Sequence, residues 1–220
     1  MVEAVPAARS SIRVYHGVTV GQPHRFIGIA ITVAAVAVVM SAVMSSASGS
    51  SAPGCHGKPA TIVGGPDQTT VMGTRGDDVI YAGDHDNLIF AGAGDDDVCT
   101  AGGDDATYGG PGNDRVGDIK GGHEILYGEG GDDRLAGNDG RDGPLIGGPG
   151  NDRIDGEGGR DQIDGGPGND ILKGGGGNDR ISDDLDGPGD QLNGGGGADD
   201  HCHGDPQDAF DDSCENIERS

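Results

Sequence analysis

Aromatic side chains are almost missing from this chain of 220 residues, which has no tryptophan, four tyrosines and three phenylalanines. Basic side chains are scarce too: 14 Lys and Arg stand against 38 Asp and Glu, for a formal net charge of −24. With no basic patch to neutralise phosphates, nucleic acid is excluded as a natural partner. With so few aromatics, little apolar area is available to offset the entropy of ordering the chain, and carboxylates this dense repel one another. The chain alone is therefore expected to stay largely unfolded until something cationic binds. Beyond the amino-terminal stretch, no 3.6-residue period is visible and glycine recurs too often for helices.

Glycine is what the chain has instead, 47 residues of it, with 11 prolines. That fraction marks low complexity when no period is present. Here a period of nine is present. Clear copies read GGPGNDRVG (109–117), GGPGNDRID (147–155), GEGGRDQID (156–164), GGPGNDILK (165–173) and GGGGNDRIS (174–182). A degenerate copy spans 64–72, and fourteen windows follow between residues 73 and 202. Single extra residues interrupt them at Asp118 and near Pro144, and two more at Asp183 and Asp184. The sixth place is Asp in twelve windows, with Asn87 and Glu124 in the others, and the eighth place is apolar in nearly all, ending at His201.

A unit of six turn residues and three strand residues cannot bury its single apolar side chain alone, so units must stack. Turn, strand, turn and strand close one flat coil in eighteen residues. Coils stacked at the strand spacing of roughly 4.7 Å would make seven coils a rod on the order of 33 Å long. The fold class expected is all-β, a parallel β-roll or β-solenoid whose eighth-place side chains form a thin spine between two sheets. An export or transmembrane-like helix is expected to precede it.

The repeat lines up oxygen. Calcium takes 6–8 oxygen ligands from carboxylates and carbonyls. Glycine turns can aim several carbonyls at one point, and the sixth-place Asp adds a charged oxygen. Turns eighteen residues apart share an edge, so a cation can sit between them and bridge two aspartates. These copies resemble the hemolysin-type calcium-binding (RTX) nonapeptide, G-G-x-G-x-D-x-U-x. The resemblance covers about residues 64–202. It implies a parallel β-roll with calcium between successive turns on each edge. It also implies that the ligating aspartates are Asp78, Asp96, Asp105, Asp114, Asp133, Asp142, Asp152, Asp161, Asp170, Asp179, Asp190 and Asp199. Asn87 and Glu124 depart from the motif, and the extra residues are expected to bulge turns and cost sites. Nine of twelve same-edge pairs have Asp in both turns, so six to nine calcium ions are expected.

The amino terminus is a different material. Residues 26–44, FIGIAITVAAVAVVMSAVM, are uncharged and apolar, and Arg9, Arg13 and Arg25 precede them. Ser45, Ser46 and Ala47 suit signal-peptidase cleavage, so 1–47 reads as an export signal. Nineteen apolar residues also approach the about 20 that span a bilayer, and an uncleaved anchor would put the repeats outside the cell. The layout resembles small secreted actinobacterial calcium-binding proteins. In either reading the repeats face an extracellular environment, and the membrane is a partner only if the segment is uncleaved. Residues 48–59 read as a flexible linker, 60–202 as the calcium-binding β-roll and 203–220 as a carboxy-terminal cap.

Cys55, Cys99, Cys202 and Cys214 follow the export segment, and four cysteines in an exported chain suggest two disulfides. Of three connectivities, the simplest joins Cys55 to Cys99 and Cys202 to Cys214. Zinc at His201, Cys202, His203 and Cys214 is the competing reading of the carboxy-terminal pair. His85 and His123 read as surface substitutions in turns. Adjacent turn carboxylates point apart and no pocket-forming domain is available, so no enzyme is expected. Two function classes remain: calcium binding with calcium-driven folding, or a calcium-folded module that binds a cell-surface glycan or protein. Tyr81, Phe90, Tyr108 and Tyr127 occupy ninth places, the last three on one sheet, and form the candidate contact stripe.

Overall fold

The computed structural model describes residues 53–183 and 189–219. The export segment expected over 1–47 and the start of the linker lie outside them. Among the described residues the chain is all strand and turn, with no helix.

Two parallel sheets face each other. One runs Thr70–Met72, Leu88–Phe90, Ala106–Pro111, Ile125–Gly130, Leu145–Ile146, Gln162–Asp164, Arg180–Ser182, His201–Gly204 and Asn216–Arg219. The other starts at Ile62–Val63 and climbs through Val79–Tyr81, Asp97–Thr100, Arg115–Asp118, Arg134–Ala136, Arg153–Asp155, Ile171–Gly177, Gln191–Gly196 and Ala209–Phe210. The chain alternates between them, so these strands make a parallel β-solenoid of about eight turns, one more than the spacing predicts.

Period two in three-residue strands leaves one side chain inward. In the first sheet, register stacks Val71 on Ile89, Ile89 on Thr107, Thr107 on Leu126 and Leu126 on Leu145. The second sheet aligns Ile80, Val98, Val116, Leu135, Ile154 and Leu172. These side chains are buried, and all but Thr107 belong to one continuous hydrophobic core. Burying an Ile or Leu contributes about 1.5–3 kcal/mol. Two per coil make a thin apolar spine for roughly eighteen residues of ordered chain.

Both ends differ from expectation. Gly54–Cys55 and Lys58–Pro59, placed in the linker by composition, form an antiparallel hairpin. A Cys55–Cys99 disulfide fastens it, with Lys58 and His56 both against Asp97. At the other end the stack continues past residue 202. Ala209–Phe210 pairs with Gln191–Leu192, and Asn216–Arg219 with His201–Gly204. The Arg219 guanidinium lies 4.3 Å over the Phe210 ring, and a Cys202–Cys214 disulfide closes the last coil. The pattern is hidden there because the connecting turns no longer keep the count of nine.

Candidate metal centres

The turns hold their shape because glycine permits two things at once. Gly148 and Gly150 have φ of +103° and +158°, conformations that a Cβ disfavours. A Cβ on Gly150 would also lie 1.8 Å from the carbonyl oxygen of Gly131 in the coil below. Three second-place residues that are not glycine are also left-handed, Glu129 (φ 76°), Asn138 (φ 77°) and Glu157 (φ 66°), whereas Thr74, Ala101 and Lys120 at the same place are not. The coils from Gly128 to Gly159 thus hold this conformation even without glycine, while the earlier turns that lack glycine there relax it.

Turns leading from the first sheet to the second make one edge of the roll. Here the backbone N–H of Asp78 donates to Oδ1 of Asp96 at 2.7 Å, and Asp96 N–H to Asp114 at 2.9 Å. The same bond joins Asp114 to Asp133, Asp133 to Asp152, Asp152 to Asp170 and Asp170 to Asp190, each at 2.7 Å. On the opposite edge Asn87 N–H donates to Asp105 at 2.7 Å and Glu124 N–H to Asp142 at 3.0 Å. Asp142, Asp161, Asp179 and Asp200 then follow in order at 2.8–3.0 Å. One carboxylate oxygen per turn is thus fixed by the neighbouring coil.

The second oxygen is what points to a cation. Oδ2 of Asp96, Asp114, Asp133, Asp152, Asp161, Asp179 and Asp200 is buried without a hydrogen-bond partner. A buried carboxylate oxygen with nothing to neutralise it is costly. Apart from Asp96, whose turn starts at Ala91, each lies beside the first glycine of its own turn, where a second oxygen waits. A Cβ on Gly128 would sit 2.3 Å from Asp133 Oδ2 and 2.6 Å from the Gly147 carbonyl oxygen. On Gly156 it would sit 2.5 Å from Asp161 Oδ2 and 2.6 Å from the Gly174 carbonyl oxygen. All-oxygen surroundings of carboxylate and carbonyl suit a hard cation such as calcium, so the residues present fit the ion.

Burial dominates the acidity of these groups. It pushes Asp133 and Asp161 up to about 7, and Asp114 and Asp152 up to about 6, against the ordinary 3.8. Backbone hydrogen bonds oppose the shift, and neighbouring carboxylates add to it. Asp96 and Asp179 are raised for the same first reason. Without a cation these carboxylates hold protons more readily than in the unfolded chain.

Eleven of the twelve aspartates marked in the sequence stand in the two ladders. Asp199 does not. It is exposed and lies 3.5 Å from His201, while Asp200 is fully buried and accepts the N–H of Asp179. His201 correspondingly faces out, and Cys202 takes the inward place against Ile181. Counting strictly by nine misses the extra residue in that turn. The pattern Asp, any residue, apolar residue finds it, because Asp200, His201 and Cys202 match it. Strict counting also misses Asp183, Asp208 and Glu215. Glu215 accepts the N–H of Asp200 at 2.8 Å, continuing that edge by one rung. The insertions expected to break the array leave the ladders intact. Coils of 19, 20 and 21 residues keep the bonds from Asp114 to Asp133, Asp170 to Asp190 and Asp179 to Asp200.

Asp183 is the most perturbed of the newly found residues. It is buried near Asp170 and Asp190, and burial first, then the charge of Asp190 and a side-chain hydrogen bond with it, then the charges of Asp170 and Asp208, raise it to about 9.

Fifth-place residues form a separate, exposed ladder. Asn113 N–H donates to Asp95, Asp132 N–H to Asn113 and Asn151 N–H to Asp132, each at 2.8 Å. His123 occupies the corresponding place on the opposite edge, where it meets the backbone of Arg141. Cys202 and Cys214 are bonded to each other and so offer no thiolates to zinc. Phe90, Tyr108 and Tyr127 do share one sheet, stacked with centroids 5.1 and 4.9 Å apart, and Tyr81 lies on the other.

The family model for the RTX calcium-binding nonapeptide repeat (4 copies) matches residues 63–98, 100–116, 120–143 and 145–181, together just over half of the chain. A search of curated proteins gave no match.

Proposed function

The chain belongs to the RTX calcium-binding nonapeptide repeat family, and on that premise we propose that its activity is calcium binding that drives its own folding outside the cell. The observation that carries this reading is the double row of buried Oδ2 atoms without partners beside glycine-made gaps. When bound, calcium supplies positive charge between coils and neutralises carboxylates from adjacent turns. From Asp114 onward the chain's part is to hold one oxygen of the ladder Asp by a backbone N–H, to aim the other into the gap, and to leave the gap open by using glycine; at the first rung Asp78 Oδ2 instead accepts the Thr74 N–H at 2.7 Å.

Nine same-edge pairs have Asp in both turns, six on the first edge and three on the second. Six to nine ions follow from this count. A site filled at ten times its dissociation constant adds about 1.4 kcal/mol to the folded state. Eight such sites contribute about 11 kcal/mol, comparable with the about 5–15 kcal/mol of an ordinary domain. Calcium thus adds stability on the scale of a whole domain to a roll whose apolar spine is thin. Calorimetric titration of the chain with calcium tests the count: saturation at six to nine ions is expected, and one or two ions, or none, would contradict it.

An extracellular setting is supported by the apolar run at 26–44 and by two disulfides, bonds that persist in oxidising compartments. Recovery of the protein from the medium rather than the cytosol is the expected outcome of fractionation; recovery with the membrane would instead indicate an anchor. The alternative, a module that binds a surface glycan, draws on the stripe of Phe90, Tyr108 and Tyr127. Their rings are nearly parallel, at 14° and 8°, and stack on one another. Ring faces are therefore taken up within the stack. A sugar platform needs those faces open, so the stripe favours strand packing over recognition.

A further inference from the structure

Asp183 follows Ser182, whose register partner one coil earlier is Asp164. Asp183 therefore stands in the stack where the previous coil has Gly165, at the first place of a turn on the first edge. The oxygens around that place follow a pattern. A Cβ on Gly109 would lie 2.5 Å from Asp114 Oδ2 and 2.8 Å from the Gly128 carbonyl oxygen. On Gly147 it would lie 2.2 Å from Asp152 Oδ2 and 2.6 Å from the Gly165 carbonyl oxygen. At Gly165 the partner changes: the two near oxygens are Asp170 Oδ2 at 2.4 Å and Asp183 Oδ1 at 2.6 Å. A carboxylate oxygen has replaced a backbone carbonyl at the mouth of the gap.

Asp183 is 4% exposed and its two buried oxygens meet no N–H donor; a carboxyl–carboxyl hydrogen bond with Asp190, when one of the pair holds a proton, is the contact left to them. Carboxylate oxygens of Asp170, Asp183 and Asp190 all lie within 4.8 Å of one another. Asp190 is fixed in this group, since its Oδ1 accepts the Asp170 N–H at 2.7 Å. Three buried carboxylates aimed at one point repel one another unless a cation joins them.

We propose that Asp183 is an additional calcium ligand, which turns the gap between Asp170 and Asp190 into a three-carboxylate site that binds calcium more tightly than the repeat sites and fills first. This rests on the calcium reading above and goes beyond it, because the nonapeptide motif has glycine at this place. The physical reason is ligand charge. Exchanging a neutral carbonyl for a carboxylate adds a full negative charge next to the ion, and calcium affinity rises with ligand charge count.

Calorimetric titration of the full chain with calcium, comparing wild type with Asp183→Gly and Asp183→Asn, tests the assignment. Wild type is expected to show a first component about tenfold or more tighter than the rest. Both variants should lose it while the weaker sites and the calcium-induced β signal in circular dichroism persist. Should Asp183→Asn fail to fold, Asp183→Gly decides, because glycine is the residue this place holds in neighbouring coils. Variants that keep the tight component, or a wild type without one, would overturn the role of Asp183 and leave the calcium reading standing. A wild type that binds no calcium would instead overturn the calcium reading itself.

Discussion

The two edges of the roll share one backbone design and differ in the chemistry of the sixth place. The first edge carries Asp in seven consecutive turns, from Asp78 to Asp190. The second begins with Asn87 and is interrupted again by Glu124 before three Asp–Asp pairs follow from Asp142 to Asp200. Hydrogen bonding does not separate them, because Asn87 and Glu124 donate their N–H groups to the next rung as the aspartates do. What separates them is charge and reach at the gap. Asn87 brings no charge, and its buried Oδ1 has no partner. Glu124 is fully buried and one methylene longer. The roll therefore keeps its shape along both edges, while cation binding is concentrated on the first edge and on the later half of the second.

Breaking the strong edge should have the largest effect. Asp152→Ala removes a ligand from two gaps and leaves the Asp133 N–H without its acceptor. A loss of about 3 kcal/mol is expected at calcium tenfold above the dissociation constant, read as a drop in thermal midpoint and two fewer ions bound. Asp199→Asn, outside the ladder, should stay within about 0.5 kcal/mol of wild type. Equal effects from these two substitutions would erase the distinction between buried and exposed aspartates.

Repairing the weak edge comes next. Glu124→Asp should complete the gaps toward both Asp105 and Asp142, adding up to two ions and about 3 kcal/mol at the same calcium excess. An unchanged ion count would show that the second edge is limited by something other than its sixth place.

Acidity sharpens the comparison further. The raised groups Asp114, Asp133, Asp152 and Asp161 bind more protons folded than unfolded between about pH 4 and pH 7. Their contribution to metal-free stability is therefore fully present below about pH 4 and is lost as pH rises to about 7. Calcium needs these groups ionised, so its stabilisation should run the other way and weaken in acid. The β signal in chelator should therefore grow as pH falls from about 7 to about 4, whereas the thermal midpoint in calcium should fall over the same range, and a change of both in the same direction would contradict the assignment.

The smallest effect belongs to the core beside the weak edge. Thr107 takes an inward place between Ile89 and Leu126, with its buried hydroxyl unpartnered. Thr107→Val should stabilise by about 1 kcal/mol in a denaturant titration, without changing calcium binding. A loss of stability would mean that the hydroxyl serves a contact.

Where the period is strict, the sequence was legible to the residue. From Gly147 to Ser182 each inward side chain and ladder aspartate falls where spacing places it. Legibility failed where chain length changed within a turn. An extra residue ahead of Asp200 shifts the last window, and the insertion at Asp183 lengthens a turn without moving the strands on either side. Sheet pairing fixes register by side-chain alternation, so a turn absorbs the surplus and the count of nine is lost. The two ends were opaque for another reason. Their order comes from disulfides at Cys55–Cys99 and Cys202–Cys214 that join residues 44 and 12 apart, and four cysteines alone allow three connectivities.

The central claim is that calcium, held between coils, supplies the stability this sequence lacks. Far-ultraviolet circular dichroism of the chain during a calcium titration at neutral pH tests it most directly. A cooperative rise of β signal from a largely unordered start is expected, complete by about 10 mM, above the weak extracellular range, and reversed by chelator. A full β signal already present in chelator, or no gain up to that concentration, would contradict it.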